Sequence, residues 1–172
     1  MNTKSKMKNQ NGFTLIEILI VIGLIAILAT VVLVAINPAR QFAQGRNSQR
    51  TSNVNTILNA IGQRVADNKG LFPVVAGCDA LTAGTVYTIG KGSGTFHAPA
   101  TALIDMSCIV PTYIASELPV DPKKGIWTDF ATYNTQYNVS VDALGRYTVC
   151  AEEAAVAFEP ALPGSTAICV TR

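Results

Sequence analysis

The sequence predicts an α+β protein: one long N-terminal α-helix, with an apolar half and an amphipathic half, packed on a small antiparallel β-sheet through a long αβ-loop. Three observations predict it. Residues 13–36 form an unbroken apolar run, residues 54–65 repeat apolar side chains at three- and four-residue spacing, and from residue 135 short segments alternate in the manner of strands. The 172 residues divide accordingly into a polar leader (1–12), an apolar half-helix (13–36), an amphipathic half-helix (37–66), a connecting region (67–133) and the strands of a globular head (134–172).

The run FTLIEILIVIGLIAILATVVLVAI holds one ionisable side chain, Glu17. As a helix its 24 residues reach about 36 Å, enough to cross a hydrocarbon core of roughly 30 Å with some tilt. Apolar residues face every direction, so the segment suits lipid or a dry protein core. A secretory signal peptide has a shorter apolar stretch, followed by a small-residue cleavage site. Here Asn37-Pro38-Ala39-Arg40 follows, and the small residue, Gly12, stands at the front edge.

A carboxylate at the fifth position of such a run is costly in lipid and calls for a partner. Lys4, Lys6 and Lys8 are the nearby bases, and all lie in the leader. Cleavage after Gly12 creates another cation, the α-amino group of Phe13. In a stack of identical subunits that amine is expected to meet Glu17 of a neighbour, neutralising both charges in a dry core and fixing the axial register.

The Lys-rich leader, Gly12, Phe13 and then Thr14-Leu15-Ile16-Glu17 resemble the cleavage and methylation signature of type IV prepilins and pseudopilins. The resemblance covers about residues 4–36 and implies a pilin-like fold. It also implies cleavage between Gly12 and Phe13 by a prepilin peptidase, N-methylation of Phe13 and use of Glu17 in assembly. Ile36-Asn37-Pro38-Ala39-Arg40-Gln41 is similar to a stretch in a subset of bacterial pilins, although the family's usual helix-kinking proline lies earlier than Pro38. The implied partners are further copies of the chain in a homo-oligomeric filament, the peptidase, an inner-membrane assembly platform and the membrane. The precursor is then a single-pass protein of the cytoplasmic membrane with its N-terminus in the cytosol, and its destination is an extracellular pilus or a periplasmic pseudopilus. Charge bias does not decide the orientation, because Arg40, Arg46 and Arg50 flank the other side of the run.

Beyond Pro38, Val54, Ile57, Leu58, Ile61 and Val65 make one apolar stripe, with Arg50, Ser52, Asn53, Asn55, Asn59 and Gln63 read as the polar face. One helix is expected from Phe13 to Ala66, roughly 80 Å long, bent at Pro38 and stopped at Asp67-Asn68-Lys69-Gly70. Residues 71–133 show no sustained period. Thr85–Ile89 reads as a short strand and Tyr113–Glu117 as a helical turn. Then Thr135–Val141, Gly145–Ala151 and Thr166–Thr171 read as strands, with a tight hairpin at Asp142–Gly145 and a looser crossover at Glu152–Ser165.

Cys78, Cys108, Cys150 and Cys169 form no CxxC pair, and His97 is the sole histidine, which argues against zinc. Four cysteines behind a membrane segment point to disulfides. Three pairings are open; Cys78–Cys108 with Cys150–Cys169 is favoured because each closes a modest loop. Leu118-Pro119-Val120-Asp121-Pro122 resembles a turn of major pseudopilins and some pilins, in some of which the following loop binds calcium. Asp121 and Asp129 are the candidate oxygen ligands, and a rigid turn explains the prolines equally well. Lys91-Gly92-Ser93-Gly94 lacks the spacing of a phosphate loop.

The precursor's net charge is +2, and losing residues 1–12 removes three of its thirteen basic side chains, leaving ten against eleven acidic ones, or −1. Direct nucleic-acid binding is not expected from that balance. With one histidine, no nucleophile–base pair and no cofactor motif, catalysis is not expected either. The reading is a structural pilus subunit, the alternative a pseudopilin of a type II secretion system, and the remote alternative a membrane-anchored binding module.

Overall fold

The computed structural model describes residues 12–92, 94–96 and 98–172, so the basic leader and His97 lie outside it. The chain forms two compact units, Met1–Pro38 and Ala39–Arg172. The first contains helix α1 (Leu15–Ala35). The second contains a sheet and all of helix α2 (Pro38–Asp67) but its first residue.

The expected single helix is therefore two. Ile36 leaves helical geometry with φ −99° and ψ 118°, and α2 restarts at Pro38. A proline ring has no N–H for the preceding turn and disfavours helical backbone at the residue before it. Pro at the first position of a new helix carries no such penalty. The far end of α2 closes at Gly70, whose φ of +89° lets its N–H reach the Val65 carbonyl at 2.8 Å.

The sheet holds six strands: β1 (Val86–Lys91), β2 (Ala102–Ile104), β3 (Ile126–Trp127), β4 (Tyr133–Val141), β5 (Tyr147–Ala151) and β6 (Ile168–Thr171). Their order is β2-β1-β4-β5-β6, with β3 also pairing β4. Three strands thus come from the connecting region, where one was expected. The sheet is mixed rather than purely antiparallel, since β1 and β2 run parallel. The helical turn expected at Tyr113–Glu117 falls earlier, as a 3-10 turn over Ser107–Ile109.

The core lies between α2 and the sheet. Val54, Ile57, Leu58 and Ile61 pack with Ile89, Tyr133, Tyr137, Val139 and Val149. Seven consecutive residues of β4, Tyr133–Val139, are buried, because neighbouring elements cover both faces. Its polar members find partners inside. Asn138 accepts from the Thr88 hydroxyl at 2.7 Å, and the Thr135 hydroxyl donates to the Ile89 carbonyl at 2.9 Å.

Candidate processing and assembly site

The chain runs through Gly12 and Phe13 as exposed irregular backbone before α1 begins. Phe13 is 81% exposed. Thr14 is the N-cap residue, with φ −80° and ψ 151°. Its hydroxyl accepts from the Glu17 N–H at 3.3 Å, and the Glu17 carboxylate accepts from the Thr14 N–H at 3.4 Å. This reciprocal capping box satisfies two of the four amides that a helix start leaves without partners. At the rim of a bilayer those amides are expensive to leave bare. The Glu17 charge also lies at the positive end of the helix dipole.

Everything beyond is apolar and uncovered within its unit. Leu15–Leu33 makes a 19-residue span with none of it buried. The one hydroxyl within that span, that of Thr30, is satisfied locally by donating to the Ala26 carbonyl at 2.8 Å. A rod of this kind has no stable existence in water and needs lipid or other apolar helices around it.

Residues 7–33 match the family model described as the prokaryotic N-terminal methylation motif. The chain carries the signature of type IV pilins and pseudopilins. That signature goes with processing by a prepilin peptidase and assembly into filaments, and α1 supplies the membrane anchor of such a precursor. No curated protein and no solved structure matches the chain.

Thr14→Val removes the hydroxyl of this prepilin-type cap, a change worth about 1 kcal/mol. In detergent micelles, hydrogen exchange of the Glu17 amide is expected to quicken by roughly fivefold. Unchanged exchange would show that the cap contributes nothing to the start of α1.

In the head of this pilin-type chain, the structure buries a charge cluster that the residue pattern hides. Arg50, read from the sequence as part of the polar face of α2, is fully buried. It stands four residues before Val54, on the same stripe, and its charge is answered there. Its Nε and Nη2 donate to the two Asp121 oxygens at 2.6 and 3.2 Å, and its Nη1 to Glu159 at 2.8 Å. Arg46, one turn earlier, binds the same Glu159 through two more hydrogen bonds. Those bonds from Arg46, with help from Arg50, outweigh burial and hold the Glu159 carboxyl down at about 2. The cluster ties α2 to the Pro-flanked turn and to the crossover that contains Glu159.

Asp121, a candidate calcium ligand from the sequence, is thus committed to Arg50. Its Oδ1 also accepts from the Lys123 and Lys124 amides at 2.8 and 3.1 Å. Asp129, the other candidate, caps its own turn by accepting from the Ala131 and Thr132 amides. The turn following Val120 is therefore held by an arginine and by its own backbone.

Cys78 is bonded to Cys108 and Cys150 to Cys169, with Cα–Cα distances of 5.4 and 4.1 Å. The first bond fixes the start of the connecting region to the 3-10 turn. The second joins a directly opposed pair on β5 and the edge strand β6. Replacing both Cys150 and Cys169 by Ala should cost about 2–4 kcal/mol and let β6 fray. Exchange of the Val170 amide is the readout, and protection equal to that of the native chain would count against the bond's role.

Proposed function

We propose that the chain is a structural subunit of a type IV pilus or pilus-like filament. Prepilin peptidase cleaves it between Gly12 and Phe13, and Phe13 is then N-methylated. An inner-membrane assembly platform draws the mature subunit from the bilayer, and α1 exchanges lipid for the α1 helices of neighbouring copies. The freed Phe13 amine of an incoming subunit pairs with Glu17 of one already in place. The head, braced by its two disulfides and the Arg50 cluster, faces outward in an oxidising compartment.

One observation carries this reading. Glu17 sits in the first turn of a helix that is otherwise apolar, and among the described residues its carboxylate has a single hydrogen-bond partner, the Thr14 N–H. A carboxylate has room for about four donors. Capping uses one and leaves the charge itself unneutralised. Cleavage at the motif supplies the missing cation only a few residues away in sequence, and a staggered stack supplies it from the next copy.

Co-expression with a prepilin peptidase and an assembly platform tests the proposal. Filaments that bind antibody against the head are expected in electron micrographs. A processed chain that stays dispersed in the membrane, with the platform functional on a known pilin, would contradict it.

A second reading, a pseudopilin of a type II secretion system, is favoured by Leu118-Pro119-Val120-Asp121-Pro122, whose aspartate is built into the core rather than left on a free loop. Neighbouring genes separate the two: a retraction motor accompanies a pilus, and a secretin with secretion genes accompanies the pseudopilus.

A further inference from the structure

The two disulfides of the head stand in opposite surroundings. Cys78 is fully buried, and Cys108 packs against the core. Backbone bonds tie down the chain beside both cysteines. The Cys108 N–H donates to the Gly77 carbonyl at 2.8 Å, and the Asp79 N–H to the Asp105 carbonyl at 3.0 Å. A reductant reaches these sulfurs only after that packing opens. Cys150 is half-buried and Cys169 is exposed. Along β6 the side chains alternate: Ile168 and Val170 are half-buried and packed on the core, while Cys169 and Thr171 are exposed. The second bond therefore lies on the face of β6 turned away from the core.

Register makes that bond more accessible still. Tyr147 and Arg172 exchange both backbone hydrogen bonds, at 2.7 and 2.9 Å. Hydrogen-bonded and non-hydrogen-bonded pairs alternate along an antiparallel ladder. Cys150–Cys169, three pairs further on, is therefore a non-hydrogen-bonded pair, and the Cys169 peptide groups point to the open edge of the sheet. Little else holds β6, which has four residues. Thr148 and Thr171 share a hydroxyl hydrogen bond at 2.8 Å, and the Arg172 guanidinium donates to Asn59, both in exposed positions. Water replaces such bonds at small net cost. The gains from two half-buried side chains and a short ladder are of the same size as the entropy of ordering a terminal strand. The disulfide, which spans 19 residues of sequence, tips that balance toward the ordered strand.

We propose that the Cys150–Cys169 bond is a reducible latch on the C-terminal strand, opened by a dithiol while Cys78–Cys108 stays closed. A thiolate of the reductant attacks the exposed Cys169 sulfur, the S–S bond breaks, and Cys150 leaves as a thiolate that takes up a proton. The reductant's second thiol, losing its proton, attacks the mixed disulfide and releases Cys169, which is protonated in turn. The dithiol supplies both electrons and departs as a cyclic disulfide. Strand β6 then peels from β5. A Glu152 carboxylate oxygen lies within 4.8 Å of both sulfurs. Its charge repels an anionic reductant such as glutathione, so a dithiol with no other charge is the fitting class. The latch is separate from the contacts of α1, so its failure leaves the assembly reading untouched.

Timed treatment of the full-length chain in detergent micelles with dithiothreitol, followed by alkylation and peptide mass spectrometry, tests the proposal. Cys150 and Cys169 are expected to alkylate at least roughly tenfold sooner than Cys78 and Cys108, and guanidinium chloride should remove the difference. In chain with only the latch open, the Val170 amide should exchange roughly a hundredfold faster, while Val139 on β4 keeps its protection. Equal rates in the native chain, or earlier opening of Cys78–Cys108, overturn the proposal. So does a difference that persists in guanidinium chloride, since accessibility in the fold would not then be its cause. Val170 protection unchanged after opening, or lost together with that of Val139, also overturns it, because β6 would not then be a strand released by itself.

Discussion

Glu17→Ala is expected to leave the precursor in the membrane, processed at the normal rate, and to cut the yield of sheared fibres by at least roughly tenfold. On the proposed processing the peptidase acts at Gly12–Phe13, N-terminal to the substitution, and the anchor becomes only more apolar. Assembly is different. In the proposed filament each docked subunit brings one amine into a dry core, and an opposite charge about 4 Å away is worth about 4 kcal/mol at an effective dielectric constant near 20. Removing one member of a buried pair leaves the other uncompensated, at roughly 3–5 kcal/mol. Spread over every subunit of a fibre, that loss stops growth. Glu17 also caps its helix through the Thr14 N–H, so a second variant is needed to separate the two roles. Glu17→Gln keeps an acceptor for that N–H and loses the charge. It should assemble as poorly as the alanine variant, and normal fibres from it would assign the residue to capping alone.

Arg50→Met is expected to destabilise the head by roughly 3–5 kcal/mol, because it strands the buried Asp121 without its cation and leaves Glu159 to Arg46 alone. For a unit of this size that lowers Tm by roughly 10–20 °C, read by near-UV circular dichroism of the full chain in micelles. Arg50→Lys keeps the charge without the planar fork and should fall between the two. A melting point unchanged in Arg50→Met would mean that the cluster contributes nothing. The same cluster sets an acid limit. The Glu159 pKa is depressed in the folded state to about 2, from an ordinary value near 4.5, by Arg46 first and then Arg50. Its contribution is full above the unfolded value and drains away as pH falls from about 4.5 toward 2. Stability of the native head should therefore drop across that window, and Glu159→Gln should flatten that part of the curve.

The N-terminal half was legible because its physics is local. A run with no polar stripe, one acid at the fifth position and a glycine at its front edge needs no tertiary context to be understood. Thr14-x-x-Glu17 also has the spacing of a capping box, so that feature could have been read from the sequence. The halt at Ile36 is a backbone effect of Pro38 that pattern reading located but took for a bend. The head was harder. Strand β3 has only two residues, and β1 ends among Gly90, Gly92 and Gly94, so neither shows much alternation. The parallel partner of β1 lies across a loop whose closure no short-range signal reports. Strand β4 is covered on both faces, which erases the polar–apolar alternation that marks a half-exposed strand. Arg50 holds the stripe position of an apolar residue, and its spacing from Val54 was the available clue. What the sequence concealed was its partners, Asp121 and Glu159, 71 and 109 residues away.

Intact-mass spectrometry of chain recovered from fibres or membranes tests the central claim most directly. The account predicts a polypeptide that begins at Phe13, one methyl group heavier than its residues require, with all four cysteines in disulfides until reduced. A chain that keeps residues 1–12, or one cut beyond Ile36 so that the apolar helix is gone, would contradict it.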